Sequence, residues 1–177
     1  MLANWSNFYI LLGTASAALV ALLFVAASIG VGYLSTDPGS PTHTFTTPIV
    51  FHYTYVLFVS LVALIPVGSG TSLAVIIAVS ALGGLLYSTR VMVRVLRSTA
   101  SDIDDRFGYG ASPPAAYAAT LAAAGFIAER SDVGPPLLAV ALILLLVVNI
   151  RNAWDLTVFF AQRRANGGSQ RFDRKER

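Results

Sequence analysis

Cysteine is missing from this chain, which excludes disulfides, iron–sulfur clusters and thiolate chemistry. Lysine is nearly missing too: eleven Arg stand against a single Lys, Lys175. Charge of either sign is scarce, at 12% of 177 residues, about half the share of a soluble domain. It is also unevenly spread. No ionised side chain precedes Asp37, and from there to Arg90 only His43 and His52 titrate near neutrality. Apolar residues fill the space, at 55% of the chain with mean hydropathy +0.68. Runs of about 18 or more such residues read as membrane spans, so the bilayer is the expected solvent. The Arg-, Ala-, Val- and Leu-rich usage points to a GC-rich bacterium and hence to its inner membrane. The net charge of +3 comes mostly from the end of the chain, where it suits anionic lipid headgroups. No basic domain stands outside the apolar runs, so nucleic acid is not an expected partner.

The first span is expected over 8–34, with Trp5 as an interfacial anchor ahead of it. A cleaved signal peptide would need a basic leading segment and a shorter apolar core. Gly13, Ala17 and Ala21 recur every fourth residue, a small-residue stripe that lets a second helix approach closely. Asp37-Pro-Gly-Ser-Pro41 reads as turns. Thr47-Pro48 then forms a helix start, with Thr as the cap and Pro at the first helical position. That places a second span over 48–65. Pro66-Val-Gly-Ser-Gly70 is a tight turn into a third span over 71–96, which carries a second small pair, Ser80 and Gly84. Arg90, Arg94 and Arg97 fall within about 60° of one another on that helix. A polar loop with Asp102, Asp104, Asp105 and Arg106 follows. A fourth apolar segment, 113–129, is short for a span and could be re-entrant. The last runs over 136–160, and the basic segment 162–177 is expected as a disordered cytoplasmic tail beyond a bundle of residues 1–161.

Positive charge marks the cytoplasmic side of a membrane protein. Arg90, Arg94, Arg97 and Arg106 follow the third span, and six basic residues from Arg163 to Arg177 follow the last. Both groups belong on one side, so an even number of crossings must separate them. The short fourth segment therefore has to cross. The expected fold is an all-α bundle of five transmembrane helices, amino terminus outside and carboxyl terminus inside.

That topology sets depths. Polar residues interrupt the last apolar run at Asn149, Arg151, Asn152 and Asp155, with Trp154 among them at the interface. His52 sits about 6 Å in from the start of its span, and Arg90 and Asp155 each about 28 Å along theirs. His52, Arg90, Arg94, Asn149, Arg151, Asn152 and Asp155 thus converge on one layer of the inner leaflet. A charge there is expensive unless paired. The plain reading is a clamp, with Asp155 pairing Arg151 one turn away or Arg90 or Arg94 across helices. The sharper reading is a proton or ion path through His52 and Asp155.

Other chemistries lack their residues. His43 and His52 have no third His and no Cys beside them, so neither a metal site nor a cofactor is expected. Asp102-Ile-Asp-Asp105 lacks the glycine and closing Glu of a calcium loop. There is no HExxH, no Gly-x-Ser-x-Gly and no phosphate-binding Gly loop, so no enzyme is expected.

The pattern Trp5-x-x-Phe8-Tyr9-x-Leu11-Leu12-Gly13-Thr14, then Leu22 to Ser28, Thr44-Phe45 and Ile150-Arg151-Asn152-Ala153-Trp154-Asp155-Leu156, resembles a group of small bacterial polytopic membrane proteins. The resemblance implies that Arg151, Trp154 and Asp155 belong to a recurring signature. It implies no reaction. The expected role is a structural or modulatory membrane subunit, able to self-associate or to join a membrane-protein partner; the rival is a small oligomeric ion or proton channel or permease.

Overall fold

The computed structural model describes residues 2–30, 41–66, 70–97 and 111–173. Among these residues every regular element is helical. A 3-10 turn, Leu2–Trp5, leads into α1 (Ser6–Gly30), followed by α2 (Pro41–Leu64), α3 (Gly70–Arg97), α4 (Ser112–Ala128) and α5 (Gly134–Asp173). The protein is an all-α membrane bundle. Four helices are long and apolar enough to cross a bilayer, over Ser6–Ser28, Thr47–Leu64, Gly70–Arg94 and Gly134–Val158. Large apolar side chains cover the outside, among them Leu11, Leu22, Phe24, Val79 and Val140. Such a surface suits hydrocarbon, where helices satisfy their own backbone bonds.

Helices α2, α3, α4 and α5 close into a ring in which α4 packs between α3 and α5, and α1 lies against α2. Each sequential pair is antiparallel. The fourth helix is the odd member. Its 17 residues span about 25 Å at 1.5 Å each, short of a core of roughly 30 Å. It is nonetheless well buried along one side, through Pro113, Ala116, Tyr117, Thr120, Ala123, Ala124 and Ile127. That 3–4 spacing gives one helix face, and alanine keeps the helix thin enough to sit inside others. Because α4 runs antiparallel to both neighbours, it returns the chain. The end of α3 that bears Arg90 and the end of α5 that bears Arg151 therefore lie at the same end of the bundle.

The boundaries of α2 and α5 differ from the sequence expectation in ways that matter for the fold. Helix α2 begins at Pro41, a full turn and more before Thr47, so Pro48 is inside the helix rather than at its start. Pro41 takes the first position, where a missing N–H does no harm. Pro48 is buried, and interior prolines are tolerated in membrane helices, where neighbours can satisfy the freed carbonyl. Helix α5 begins two residues earlier than expected and runs on through Asp173. Most of the segment read as a disordered tail thus continues the last helix. The turns around Asp37, the loop 98–110 with its acidic cluster, and residues 174–177 lie outside the described residues.

The α4–α5 connection is tight. Glu129 closes α4, Arg130 follows in a left-handed conformation (φ 57), and Gly134 opens α5 against Ile127. A Cβ on Gly134 would meet the Ile127 backbone nitrogen at 2.9 Å and the Phe126 carbonyl carbon at 3.2 Å. Backbone cannot swing away as a side chain can. Gly134→Ala is therefore expected to destabilise the folded protein by about 1–3 kcal/mol, read as a lower midpoint for thermal unfolding in detergent; an unchanged midpoint would show that the turn can open without loss.

Candidate functional site

The layer foreseen as one cluster separates into two. His52, Asn149 and Asn152 are buried, whereas Arg90, Arg94, Arg151 and Asp155 are exposed on the outside of the bundle. Among the described residues no ion pair joins Asp155 to Arg90 or Arg94. The interhelical clamp expected between those charges is not formed. Helix geometry is the reason: at 100° per residue, Arg151 lies about 200° around α5 from Asn149. Asn149 and Asn152 share the inward face with Leu145 and Leu156, while Arg151 and Asp155 share the outer side with Val147 and Trp154. The side chain of Arg97 lies outside the described ones.

The inward set is built around a residue that the sequence did not single out. Tyr117, fully buried on α4, shares a hydrogen bond of 2.8 Å with Nδ1 of His52 on α2. Which partner donates depends on the imidazole tautomer. The Tyr117 ring packs against α3 at Gly84, where an added Cβ would stand 2.6 Å from Cζ. Tyr55 meets the same ring edge-on, with centroids 4.7 Å apart. Tyr87 of α3 packs at a tilt against Phe51, the residue before His52, with ring centroids 4.4 Å apart. One aromatic on α4 thus contacts α2 by a hydrogen bond and an edge, and α3 by van der Waals contact with bare backbone. Glycine at 84 is required by close approach, not by a turn.

Asn149 on α5 is fully buried, and its amide donates to the Leu145 carbonyl at 2.7 Å. The hydroxyls of Ser60, Ser80, Ser88 and Thr120 likewise donate to carbonyls within their own helices. This is how hydroxyls avoid isolation in hydrocarbon.

The two small-residue motifs have different fates. Gly84 of the Ser80–Gly84 pair receives Tyr117, and Ser80 is half-buried near the Tyr55 hydroxyl. On α1, Gly13 is the buried member, where a Cβ would stand 3.2 Å from Ser60 Cβ, but Ala17 and Ala21 are exposed. The seam with α2 instead runs through Leu12, Gly13, Ser16 and Leu23, and Ser16 Oγ donates to the Tyr53 carbonyl at 2.7 Å. Of the expected anchors, Trp154 is exposed, whereas Trp5 is half-buried and packs edge-on against Phe8.

The sequence did carry a signal for Tyr117. It is the lone aromatic in Ala115-Ala-Tyr-Ala-Ala119, and a small pair on the preceding helix is the natural receptacle for a large ring. Among the described residues no three His, Asp or Glu side chains gather as metal ligands. Comparisons with protein-family models, with curated proteins and with solved structures found no match.

Proposed function

We propose that this chain is a non-enzymatic, multi-pass protein of a bacterial inner membrane, amino terminus outside and carboxyl terminus in the cytoplasm. It works as a structural or modulatory subunit. The observation that carries this reading is the His52–Tyr117 bond seated over Gly84. A transport path needs its polar groups turned toward a water-filled space. Here the titratable group of the interior is tied to a neighbouring helix inside a ring of aromatics.

The outward charges supply the docking part of the role. Arg90, Arg94, Arg151 and Asp155 stand on the bundle surface at one end, where they would meet anionic headgroups or a partner's helices. The channel reading draws on the same residues, because only assembly around an axis would turn them toward a common pore. A flux assay separates the two. Full-length protein in liposomes with an internal pH dye and an imposed potential should leak no faster than empty vesicles. A proton or cation flux that Asp155→Asn abolishes would overturn the subunit reading in favour of the channel.

A further inference from the structure

The end of the bundle opposite Arg90 holds a cavity of about 620 Å³. Leu2, Leu64, Leu73 and Ile127 give it an apolar wall, while Ser6 and Arg130 supply polar groups. Arg130 is the one charged residue of that lining; Glu129 and Asp132 are exposed beside it but do not line the cavity. Leu64 also lines a groove of about 260 Å³ between α1 and α2, together with Tyr9, Gly13, Ala17, Leu57 and Leu61. From Tyr9 to Ala17 the groove follows the helices for about 12 Å. Tyr9 is buried, and its hydroxyl has no hydrogen-bond partner. Cation, hydroxyls and apolar trough therefore follow one another from the bundle end inward.

Arg130 is also an unusual choice for its position. Its N–H donates to the Ile127 carbonyl at 3.1 Å, and that of Ser131 to the Phe126 carbonyl at 2.9 Å. This two-bond closure of a helix places one residue in the left-handed region, where glycine is the unstrained occupant. Arg130 is the only non-glycine with positive φ among the described residues. Strain tolerated at a cavity mouth motivates a role for the side chain that incurs it.

We propose that the cavity and the groove together bind one anionic phospholipid. Its phosphate meets the Arg130 guanidinium, its glycerol ester region meets Ser6, and an acyl chain lies along Gly13, Ala17, Leu57 and Leu61. A guanidinium bonds phosphate in a charge-assisted, two-pronged manner. Ile10, Ala17, Leu57, Leu61 and Leu64 line the trough, and the hydroxyls of Thr14 and Ser60 donate to carbonyls of their own helices, so the trough suits an acyl chain. The site lies away from the His52 layer and from the Arg90 end, so it stands or falls independently of the subunit reading.

The test uses the full chain, stripped of lipid in mild detergent and titrated with phosphatidylglycerol or phosphatidylcholine. Bound lipid is counted by native mass spectrometry, and unfolding midpoints are measured in parallel. Wild-type protein should retain one phosphatidylglycerol in preference to phosphatidylcholine. Arg130→Gly should weaken that retention on the order of tenfold while raising the lipid-free midpoint or leaving it unchanged, because the backbone is relaxed. Arg130→Asn, which also tolerates the left-handed conformation, repeats the charge removal should the glycine variant express poorly. Ala17→Phe keeps every charge and fills the trough, and it should weaken binding as well. Undiminished phosphatidylglycerol binding in both Arg130 variants would overturn the headgroup site. Loss with Arg130→Gly but not with Ala17→Phe would overturn the groove, leaving surface electrostatics alone.

Discussion

Gly84→Ala is expected to remove most of the folded protein. The added methyl would occupy space now filled by the Tyr117 ring, which is itself fully buried between α2 and α3. Neither side can give easily, since one partner is helix backbone and the other is an aromatic held by His52 and Tyr55. Overpacking a tight core costs about 1–3 kcal/mol and sometimes more. Here the upper end applies, because α3 and α4 would have to part along their whole contact. Gly83, its neighbour, meets nothing within 4 Å, so Gly83→Ala should be harmless and is the matched control. Combining Gly84→Ala with Tyr117→Leu should recover part of the yield, because the flexible, smaller side chain can move off the new methyl. Equal yields for Gly83→Ala and Gly84→Ala in detergent extracts would show that this packing is dispensable.

Tyr117→Ala is the second large effect. Truncating a buried aromatic in a soluble core costs about 3–5 kcal/mol, part of it the transfer of the ring from water. In a bilayer the transfer part is lost, since lipid tails are as apolar as the core, and packing and interhelical bonds carry association. The cavity and the lost contacts remain. A destabilisation of about 3 kcal/mol is therefore expected, larger than for truncating any lipid-facing residue such as Val79 or Val140, which are exposed. Reversible unfolding in mixed micelles would measure it. A value under about 1 kcal/mol, the size of an ordinary surface change, would mean that α4 is held by its other buried residues.

The order of residues along each helix was read from the sequence, but the side each one faces was not taken into account. The span lengths and helix directions placed His52, Arg90 and Asp155 toward one end of the bundle, and the ends of α3 and α5 that bear Arg90 and Arg151 do lie at the same end. What spacing by depth omits is rotation. Applied to α5, the 3.6-residue period already sets Asn149 and Asn152 with Leu145 and Leu156, and turns Arg151 and Asp155 away with Val147. Asp155, Arg90 and Arg94 do not meet across the helices because each is turned to the outside of the bundle, where a long charged side chain can reach headgroups or water.

The start of α2 shows a different limit. Two prolines, Pro41 and Pro48, each fit a first-turn position, and local rules cannot choose between them. The fourth helix shows a third limit: hydropathy and length undercount a helix whose surroundings are protein rather than lipid. Tyr117 and Gly84 were each visible in the sequence, but only as an aromatic in an alanine helix and a glycine in a small pair. Their meeting depends on the antiparallel register of α3 and α4, which no local pattern encodes.

The central claim is that the buried His52–Tyr117 bond ties α2 to α4, and a double-mutant cycle on the two residues measures it most directly. Tyr117→Phe keeps the ring on Gly84 and removes only the hydroxyl; His52→Leu removes the imidazole at similar volume. Either change alone leaves a buried polar group without its partner, which is costly, whereas removing both leaves none. Interhelical hydrogen bonds in membrane proteins couple by about 0.6 kcal/mol on average and up to about 1.7. With a bond of 2.8 Å between buried groups, we expect a coupling near the upper part of that range, with the double variant at least as stable as His52→Leu alone. Strictly additive losses, with no coupling in thermal unfolding of the full chain, would contradict the account.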